Sequence, residues 1–286
     1  MKVKANAKVN LSLDITGRRD DGYHTLCSVM QSVSLCDVIE LTACDETTVV
    51  CDTKELSGSD NLCFKAAERF YEASGIHGGV AVTVEKHIPV AGGLGGGSAD
   101  AAAVLVALNK MYGEPLNNGE LCELALTLGA DVPFCVNGGT ALAEGIGESL
   151  TGLPCLSDCL IVIAKKGTKS STKDMYAKID CTEPLKTSDV DSIVFGLLNG
   201  DLEYAVKGFY NRFEEVTEPG VLKECKAVMR FFGCLYAGLS GAGPSVVGIF
   251  RPQDVRSAES AVEELQLNGY EAYFCRPAVC GVEIIE

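Results

Sequence analysis

The chain has 286 residues, 47% hydrophobic and 22% charged, a composition typical of a globular protein and unlike that of a disordered chain. Its 24 Lys and Arg stand against 39 Asp and Glu, and the formal net charge of -15 argues against a generic nucleic-acid or anionic-membrane binder. The amino-terminal segment lacks the apolar run of a signal peptide, and no later run is long enough to span a bilayer. We therefore expect a cytoplasmic protein without nucleic-acid or membrane partners.

The first half of the chain predicts strands and helices in mixed order. Residues 3–15 alternate strictly between apolar and polar side chains, which predicts a half-buried strand. Helices are predicted after Ser98 and after Asn117, where Asn117 and Glu120 have the spacing of a capping box and Gly129 is the expected stop. The remaining predicted elements are strands near 26–33, 38–41, 47–51 and 79–90, and a helix over 60–75.

The pattern changes after residues 152–154, where we place a domain boundary. A buried strand at 158–164 is followed by predicted helices near 188–198, 201–216, 219–231 and 252–267, a strand pair around LSGAGPS, and a last strand at 270–276. Strands and helices alternate without a regular βαβ rhythm, which favours an α+β fold. We predict two domains, 1–153 and 154–286.

Fourteen cysteines are scattered along the chain without a CxxC pair. Because no signal peptide accompanies them, we interpret them as reduced thiols, most of them small core residues. The cysteines that are closest in sequence have neither a second pair of matching spacing nor a nearby His to complete a zinc site. We therefore expect no zinc site and predict no metal ligand set.

Five glycines occupy positions 92–97, between a predicted strand and a predicted helix. Unpaired backbone N–H groups and the helix dipole both favour negative charge there, so the segment PVAGGLGGGSADAAA, residues 89–103, predicts a phosphate site. It is not a Walker loop, because Ser98 stands where that motif requires Lys, and neither the GxGxxG fingerprint nor a protein-kinase catalytic loop is present. The alternative is a tightly packed or flexible glycine turn that binds nothing.

These residues resemble the PxxxGLGGGSS-type loop of the GHMP kinases. The two other motifs of that family occur in order, AKVNLSL at 7–13 and LSGAGPSV at 239–246, so the resemblance covers the whole chain. It implies an α+β fold with a ribosomal protein S5 domain 2-like amino-terminal domain and a ferredoxin-like carboxyl-terminal domain. It also implies an ATP-dependent small-molecule kinase with an alcohol acceptor, using Mg²⁺ and acting as a monomer or weak homodimer.

A second segment narrows the resemblance within that family. GRRDDGYHTLCSVMQSVSLCD at 17–37 is similar to the GxRxDGYHxLxSxxQ segment of the members that act on cytidine-diphosphate-linked methylerythritol, and TLGADVPF at 127–134 matches their catalytic segment. The similarity implies transfer of the ATP γ-phosphate to the tertiary C2 hydroxyl of that substrate, a step in the non-mevalonate route to isoprenoid precursors. Two alternatives stay open: another small-alcohol kinase or ATP-dependent decarboxylase of this superfamily, and a non-catalytic nucleotide-binding protein.

The resemblance assigns catalysis to Asp131 and Lys8. Phosphoryl transfer needs a positioned hydroxyl and neutralised phosphate charge, and often a base. Asp131 would accept the hydroxyl proton, and Lys8 would pair with that carboxylate and offset phosphate charge. Taken alone, Asp131 is equally typical of a turn, and Lys8 of a solvated strand face.

The resemblance also assigns binding residues. Tyr23 would stack on cytosine and His24 would read its polar edge, because stacking suits a flat base and hydrogen bonds select which base. Further substrate contacts are expected at Asn10, Thr172, Tyr176, Gly241 and Gly243, and Ser98 is the candidate hydroxyl for Mg²⁺. The expected ATP contacts are Pro89, Val90, Ala91, Gly92, Gly93, Leu94, Gly95, Gly96, Gly97, Ser98 and Ala99.

Overall fold

The computed structural model describes residues 1–156, 158–167 and 172–286. Its first half contains ten strands and helices. In chain order these are β1 (Lys2–Arg18), β2 (His24–Cys44), β3 (Thr48–Cys51), α1 (Leu62–Ser74), β4 (Gly79–Glu85), α2 (Gly96–Met111), α3 (Asn118–Leu126), α4 (Val132–Asn137), β5 (Thr140–Glu144) and β6 (Ser149–Leu153). All but α4, β5 and β6 lie close to a predicted element.

The second half of the chain is also mixed, as predicted. Its described elements are β7 (Leu160–Lys165), α5 (Thr172–Ile179), α6 (Val190–Asn199), α7 (Leu202–Ala205), α8 (Pro219–Phe231), β8 (Tyr236–Leu239), β9 (Val246–Phe250), α9 (Val255–Leu267), β10 (Glu271–Cys275) and β11 (Val282–Ile284). No helix in the described ranges is long and apolar enough to cross a membrane.

The strands form two sheets in the described part of the chain. The first has the order β11-β1-β2-β4-β3, with β5 and β6 attached through β2, and only its β3–β4 pairing is parallel. The second has the antiparallel order β10-β7-β9-β8. Its strands and the helices α8 and α9 follow one another as βαββαβ, the ferredoxin-like arrangement predicted for the carboxyl-terminal half.

The last strand returns to the first sheet. Val282 lies opposite Ala5, and Ile284 lies opposite Val3, so β11 covers the outer edge of β1. The domain boundary at residue 153 stays a prediction. It assigns β11 to the second domain, although β11 is hydrogen-bonded into the first sheet.

The prediction that β1 is only half-buried is wrong. Its apolar side chains are buried, but so are Lys8, Asn10, Ser12 and Asp14 on the opposite face. Buried polar side chains require partners, so this face must meet polar groups from elsewhere in the chain. The alternation of the sequence is correct, but its polar face lies under other segments and not in solvent.

Two other local predictions need correction. A single irregular strand, β2, replaces the two strands predicted over 26–41. The helix predicted over 201–216 is broken after α7, because Asn211 forms a bridge with Leu13 of β1 and its side-chain amide donates to the carbonyl oxygens of Leu239 and Gly241. These tertiary hydrogen bonds outweigh the local helical pattern.

Helix α3 begins where the sequence predicts, whereas α2 begins at Gly96, ahead of the predicted start after Ser98. Asn117 Oδ1 accepts from the Glu120 N–H at 3.1 Å, and Glu120 Oε2 accepts from the Asn117 N–H at 2.7 Å, which confirms the capping box. Helix α3 ends at Leu126, before the predicted stop at Gly129. Helix α2 is almost entirely buried against the first sheet and α1, so the glycine-rich segment before it is firmly anchored.

The fourteen cysteines are all free thiols. Six of them are buried, and burial raises the pKa of Cys159, Cys225 and Cys275 to about 12. The free thiols agree with the interpretation as reduced cysteines, but the prediction that most of them are core residues is wrong, since eight of the fourteen are partly or fully exposed.

Candidate active site

A cavity of about 690 Å³ lies between the glycine-rich segment and the two other motifs. Its lining contains most of the residues expected to bind ATP or substrate, although they come from distant parts of the chain. These are Lys8, Asn10, Pro89–Ser98, Asp131, Thr172, Tyr176 and Gly241. Ala99, Tyr23, His24 and Gly243 do not belong to the lining.

The glycine-rich segment runs through the cavity wall into α2. Gly95 is the N-cap of α2 with φ +71°, and Gly93 has φ +77°. A Cβ at Gly93 would lie 2.7 Å from the Ser240 carbonyl oxygen and 2.8 Å from that of Gly243. Only glycine allows this left-handed backbone and this close approach. The segment is therefore a shaped cradle and not a flexible turn.

The first turn of α2 faces the cavity with backbone donors. Gly96, Gly97 and Ser98 are its first three residues, and the N–H groups of these positions have no acceptor within a helix. The Ala99 N–H donates to the Gly95 carbonyl oxygen at 2.8 Å, and the Ala99 side chain is fully buried. The donors available to an anion thus end at Ser98.

Hydrogen bonds join all three motifs around this cradle. The Lys8 N–H donates to the Leu94 carbonyl oxygen at 2.9 Å, and the Ser245 N–H donates to that of Gly92 at 3.2 Å. Ser240 Oγ donates to the Gly93 carbonyl oxygen at 3.3 Å. The motif 239–246 therefore holds the cradle from the second half of the chain.

The two residues predicted to be catalytic meet beside the cradle. Lys8 Nζ lies 3.2 Å from Asp131 Oδ2, where β1 passes the start of α4. The Lys8 side chain is 6% exposed, whereas that of Asp131 is 36% exposed and opens on the cavity. A Cβ at Gly95 would lie 2.9 Å from Lys8 Cγ, so the cradle and the ammonium stem are in direct contact.

Asn10 is fixed by a chain of hydrogen bonds on the same face of β1. Lys8 Nζ donates to Asn10 Oδ1 at 2.9 Å, and Asn10 Nδ2 donates to Ser28 Oγ at 2.8 Å. Ser28 Oγ donates in turn to the Ser12 carbonyl oxygen at 2.6 Å. The amide therefore orients the ammonium group that contacts Asp131.

Of the aromatic residues expected to hold a base, Tyr176 lines the cavity and Tyr23 and His24 do not. The Tyr23 side chain points largely into solvent, with 64% of its surface exposed. The His24 imidazole stacks on the Tyr176 ring at 4.5 Å between centroids and 16° between planes, and Phe213 meets Tyr176 edge-on at 5.1 Å. One face of Tyr176 is thus covered by His24. The base-binding roles of these residues stay predictions.

Sequence reasoning missed a second ionic group beside the cradle, in which Lys86 and Asp100 also line the cavity. Lys86 Nζ donates to Asp100 Oδ2 at 2.7 Å and to Asp37 Oδ2, and Asp37 Oδ1 accepts from the N–H groups of His87 and Ile88. All three side chains are at most 8% exposed. We call Asp37, Lys86 and Asp100 the buried triad. The only sequence signal was a Lys directly between the strand β4 and the glycine-rich segment.

The buried triad holds two carboxylates against one ammonium. Burial, reinforced by Asp37 and opposed by Lys86, raises the pKa of the Asp100 carboxyl. Burial alone would lower the pKa of the Lys86 ammonium, but the carboxylates of Asp100 and Asp37 outweigh this effect and raise the pKa of Lys86. Asp100 Oδ1 has no hydrogen-bond partner among the described residues. The pairing with Lys86 offsets the negative charge that Asp100 brings to α2.

The chain matches two family models along its length. They are the GHMP kinases N terminal domain, over residues 61–139, and GHMP kinases C terminal, over residues 198–268. Together with the three motifs around one cavity, these matches define the class: the chain belongs to the GHMP kinase family.

More specific likenesses lie within this family. The chain is 40% identical over 280 residues to the 4-diphosphocytidyl-2-C-methyl-D-erythritol kinase of Clostridium tetani, covering 96% of this chain and 99% of that protein. A crystal structure of 4-(cytidine 5'-diphospho)-2C-methyl-D-erythritol kinase matches with a TM-score of 0.81 and 33% identity, covering 97% of this chain and 99% of that one. The homoserine kinase of Cytophaga hutchinsonii shares the fold at 20% identity, with a TM-score of 0.77 and coverage of 100% and 97%.

These findings confirm the predicted family, the GHMP kinase fold and the prediction that the protein is a kinase. They confirm the predicted subgroup, since relatives with this name align over nearly the whole chain. Membership of a kinase family also supports ATP as the phosphoryl donor. Mg²⁺, the oligomeric state and the roles of individual residues stay predictions.

Proposed function

We propose that the chain transfers the γ-phosphoryl group of ATP to the C2 hydroxyl of 4-diphosphocytidyl-2-C-methyl-D-erythritol. The hydroxyl oxygen forms a bond to the γ-phosphorus while the bond from that phosphorus to the β,γ-bridging oxygen breaks, and ADP leaves. The proton of the hydroxyl passes to the Asp131 carboxylate. The substrate is the one named for the relatives at 33–40% identity.

The placement of Asp131 and Lys8 carries this proposal. A carboxylate and an ammonium lie 3.2 Å apart on the wall of a cavity whose adjacent wall is a cradle of backbone donors. Transfer between two bound molecules requires their reacting groups to be held together, and one cavity of about 690 Å³ brings both partners to the same place. Lys8 offsets charge on the moving phosphoryl group, and Asn10 fixes the direction of its ammonium.

The cradle suits the phosphates of ATP. The N–H groups of Gly96, Gly97 and Ser98 lie at the start of a helix of 16 residues. The glycines carry no side chains that could fill the space in front of these donors. Mg²⁺ neutralises phosphate charge in such reactions and takes most of its ligands from water and phosphate. The Ser98 hydroxyl, which lines the cavity, is the candidate protein ligand.

We infer that the rim of the cavity holds the cytidine group. Thr172 and Tyr176 line the cavity and His24 stacks on Tyr176, so an aromatic face and an imidazole edge are available to a flat polar base, with Tyr23 proposed as the other stacking ring. We also infer a cytoplasmic enzyme that is a monomer or weak homodimer without nucleic-acid or membrane partners. Light scattering at several protein concentrations tests the oligomeric state.

Release of ADP tests the proposed function directly. The purified protein is assayed with ATP and Mg²⁺ against 4-diphosphocytidyl-2-C-methyl-D-erythritol, mevalonate, homoserine and galactose, and the phosphorylated position is found by ³¹P NMR. We expect turnover with the cytidylyl substrate only, with phosphate at C2. Equal or faster turnover of another acceptor, or no ADP release with any of them, would refute the proposal.

A further inference from the structure

One carboxylate at the rim of the cavity has no role in the function proposed above. Asp180 follows α5 directly, and its Oδ1 lies 2.6 Å from His24 Nε2. Its other oxygen, Oδ2, lies 3.3 Å from Arg18 Nη1. Arg18 and His24 are paired across the β1–β2 ladder, so one carboxylate from the second half of the chain bridges this strand pair.

Helix α5 holds the His24 imidazole in two ways. Tyr176, four residues before Asp180, covers one face of the ring, and the Asp180 carboxylate meets its edge. Residues four apart lie on one side of a helix, so the end of α5 fixes both the plane and the rotation of the imidazole. The His24 side chain is only 10% exposed, so the ring has little freedom to leave this position.

The carboxylate decides where the imidazole carries its proton. The hydrogen bond from His24, with the charge of Arg18, lowers the pKa of Asp180. An ionised carboxylate only accepts hydrogen bonds, so His24 Nε2 must carry the hydrogen. In a neutral imidazole Nδ1 is then a bare acceptor. Within the described residues, Nδ1 forms no hydrogen bond.

We propose that Asp180 is a positioning residue for base recognition: it holds His24 as the Nε2–H tautomer, so that Nδ1 accepts from the exocyclic amino group of cytosine. Uracil carries an oxygen in place of that amino group, and two acceptors facing each other repel. The carboxylate thus selects cytidine over uridine substrates without touching either base. This inference rests on the proposed function, because it requires His24 to meet the base.

Two variants separate this role from a structural one. Asp180→Asn keeps the size of the side chain, but its amide also donates, so both imidazole tautomers become available. Arg18→Ala removes the neighbouring charge contact and leaves the acceptor on His24 Nε2 in place. Asp180→Glu keeps a carboxylate and serves as the conservative rescue.

The first measurement compares kcat/KM for the cytidylyl substrate and its uridylyl analogue at pH 8. We expect Asp180→Asn to lower the cytidine-to-uridine ratio about tenfold or more, mainly through KM, since a hydrogen-bonding site strongly rejects a ligand with the wrong polarity. Arg18→Ala and Asp180→Glu should stay within about twofold of the parent ratio. An unchanged ratio in Asp180→Asn, or an equal loss in Arg18→Ala, overturns the proposal.

The second measurement reads the tautomer itself. The chain has three histidines, and ¹⁵N spectra of the imidazoles, assigned with His77→Gln and His87→Gln, distinguish protonated from bare nitrogens. We expect His24 to show Nε2–H and a bare Nδ1 in the parent protein, and a shift toward Nδ1–H in Asp180→Asn. A parent protein with Nδ1–H overturns the inference whatever the variants do.

The two measurements also separate failure of this inference from failure of the proposed function. A parent protein that does not turn over the cytidylyl substrate refutes the function while the spectra still measure the tautomer. Turnover with an unchanged cytidine-to-uridine ratio in Asp180→Asn refutes the inference alone.

Discussion

Two lysine–carboxylate groups flank the glycine-rich cradle, and they differ in composition and in exposure. Lys8 faces one carboxylate, Asp131, whose side chain is 36% exposed toward the cavity. Lys86 faces two carboxylates, in a triad that is almost sealed from solvent. The same residue types thus occur in two groups next to one glycine-rich cradle.

The contrast bears on the role proposed for each group. The Asp131 carboxylate is open to the cavity, as the proposed proton acceptor must be. In the buried triad Lys86 joins β2, β4 and α2, and removal of one charge would leave another buried without a partner. Substitution should therefore affect turnover at the first group and folding at the second.

The largest effect is expected at Asp131. Asp131→Asn should lower kcat by about 10²–10⁴-fold, because a positioned base contributes that much to proton transfer. ATP binding by calorimetry and the free energy of unfolding should change little, since the side chain is partly exposed. Asp191→Asn, an exposed change in the first turn of α6, is the matched control. Parent-like turnover by Asp131→Asn would remove the base from the mechanism.

Replacement of Lys86 should instead destabilise the fold. Lys86→Met leaves two carboxylates buried without their ammonium, which should lower the free energy of unfolding by about 3–5 kcal/mol. Urea denaturation measures this loss. Lys110→Met breaks an exposed ion pair with Glu114 and should cost under about 0.5 kcal/mol. Equal losses in the two variants would mean that the triad does not support the fold.

The contact between the cradle and the motif 239–246 gives a third test. Gly93→Ala places a methyl group against two carbonyl oxygens and forces alanine into a left-handed backbone, so we expect a loss of about 2–3 kcal/mol and a higher KM for ATP. Gly269→Ala has a similar φ of +79° with nothing within 4 Å of the new Cβ. It isolates backbone strain, and a loss as large as that of Gly93→Ala would exclude the contact as the cause.

The smallest effect concerns pH at Asp100. Because its pKa is raised in the folded protein, the carboxyl contributes fully to stability below about pH 4 and loses that contribution as the pH rises toward the raised value. Asp100→Asn has no such proton to lose. Its free energy of unfolding, relative to the parent, should rise between pH 5 and pH 8 by about 1–2 kcal/mol. A difference that is constant with pH would show that Asp100 is ionised throughout.

Much of this fold follows from local patterns. The capping box of Asn117 and Glu120, the glycine-rich segment before α2 and the βαββαβ order of the second half all correspond to signals in the sequence. The predictions from sequence fail where contacts with distant segments determine the local structure. The alternation of β1 predicts its two faces but not that both are covered, and the helical pattern over 201–216 gives way to the hydrogen bonds of Asn211.

The active site shows the same limit. Lys8 and Asp131 were predicted from motifs, and the structure brings them to 3.2 Å. The buried triad and Asp180 were not predicted, because their importance comes from contacts across the fold and neither lies in a motif of its own. Spacing along the chain carries information about helices and turns, but it carries none about which buried charges share a partner.

The pairing of β11 with β1 has a consequence for biosynthesis. The ribosome makes β1 before every other described element and β11 after all of them, although β11 covers the outer edge of β1. Exposed strand edges invite pairing with other chains. This edge of β1 therefore stays open on the nascent polypeptide until β11 has been made, and a stop codon placed before Val282 would make the exposure permanent.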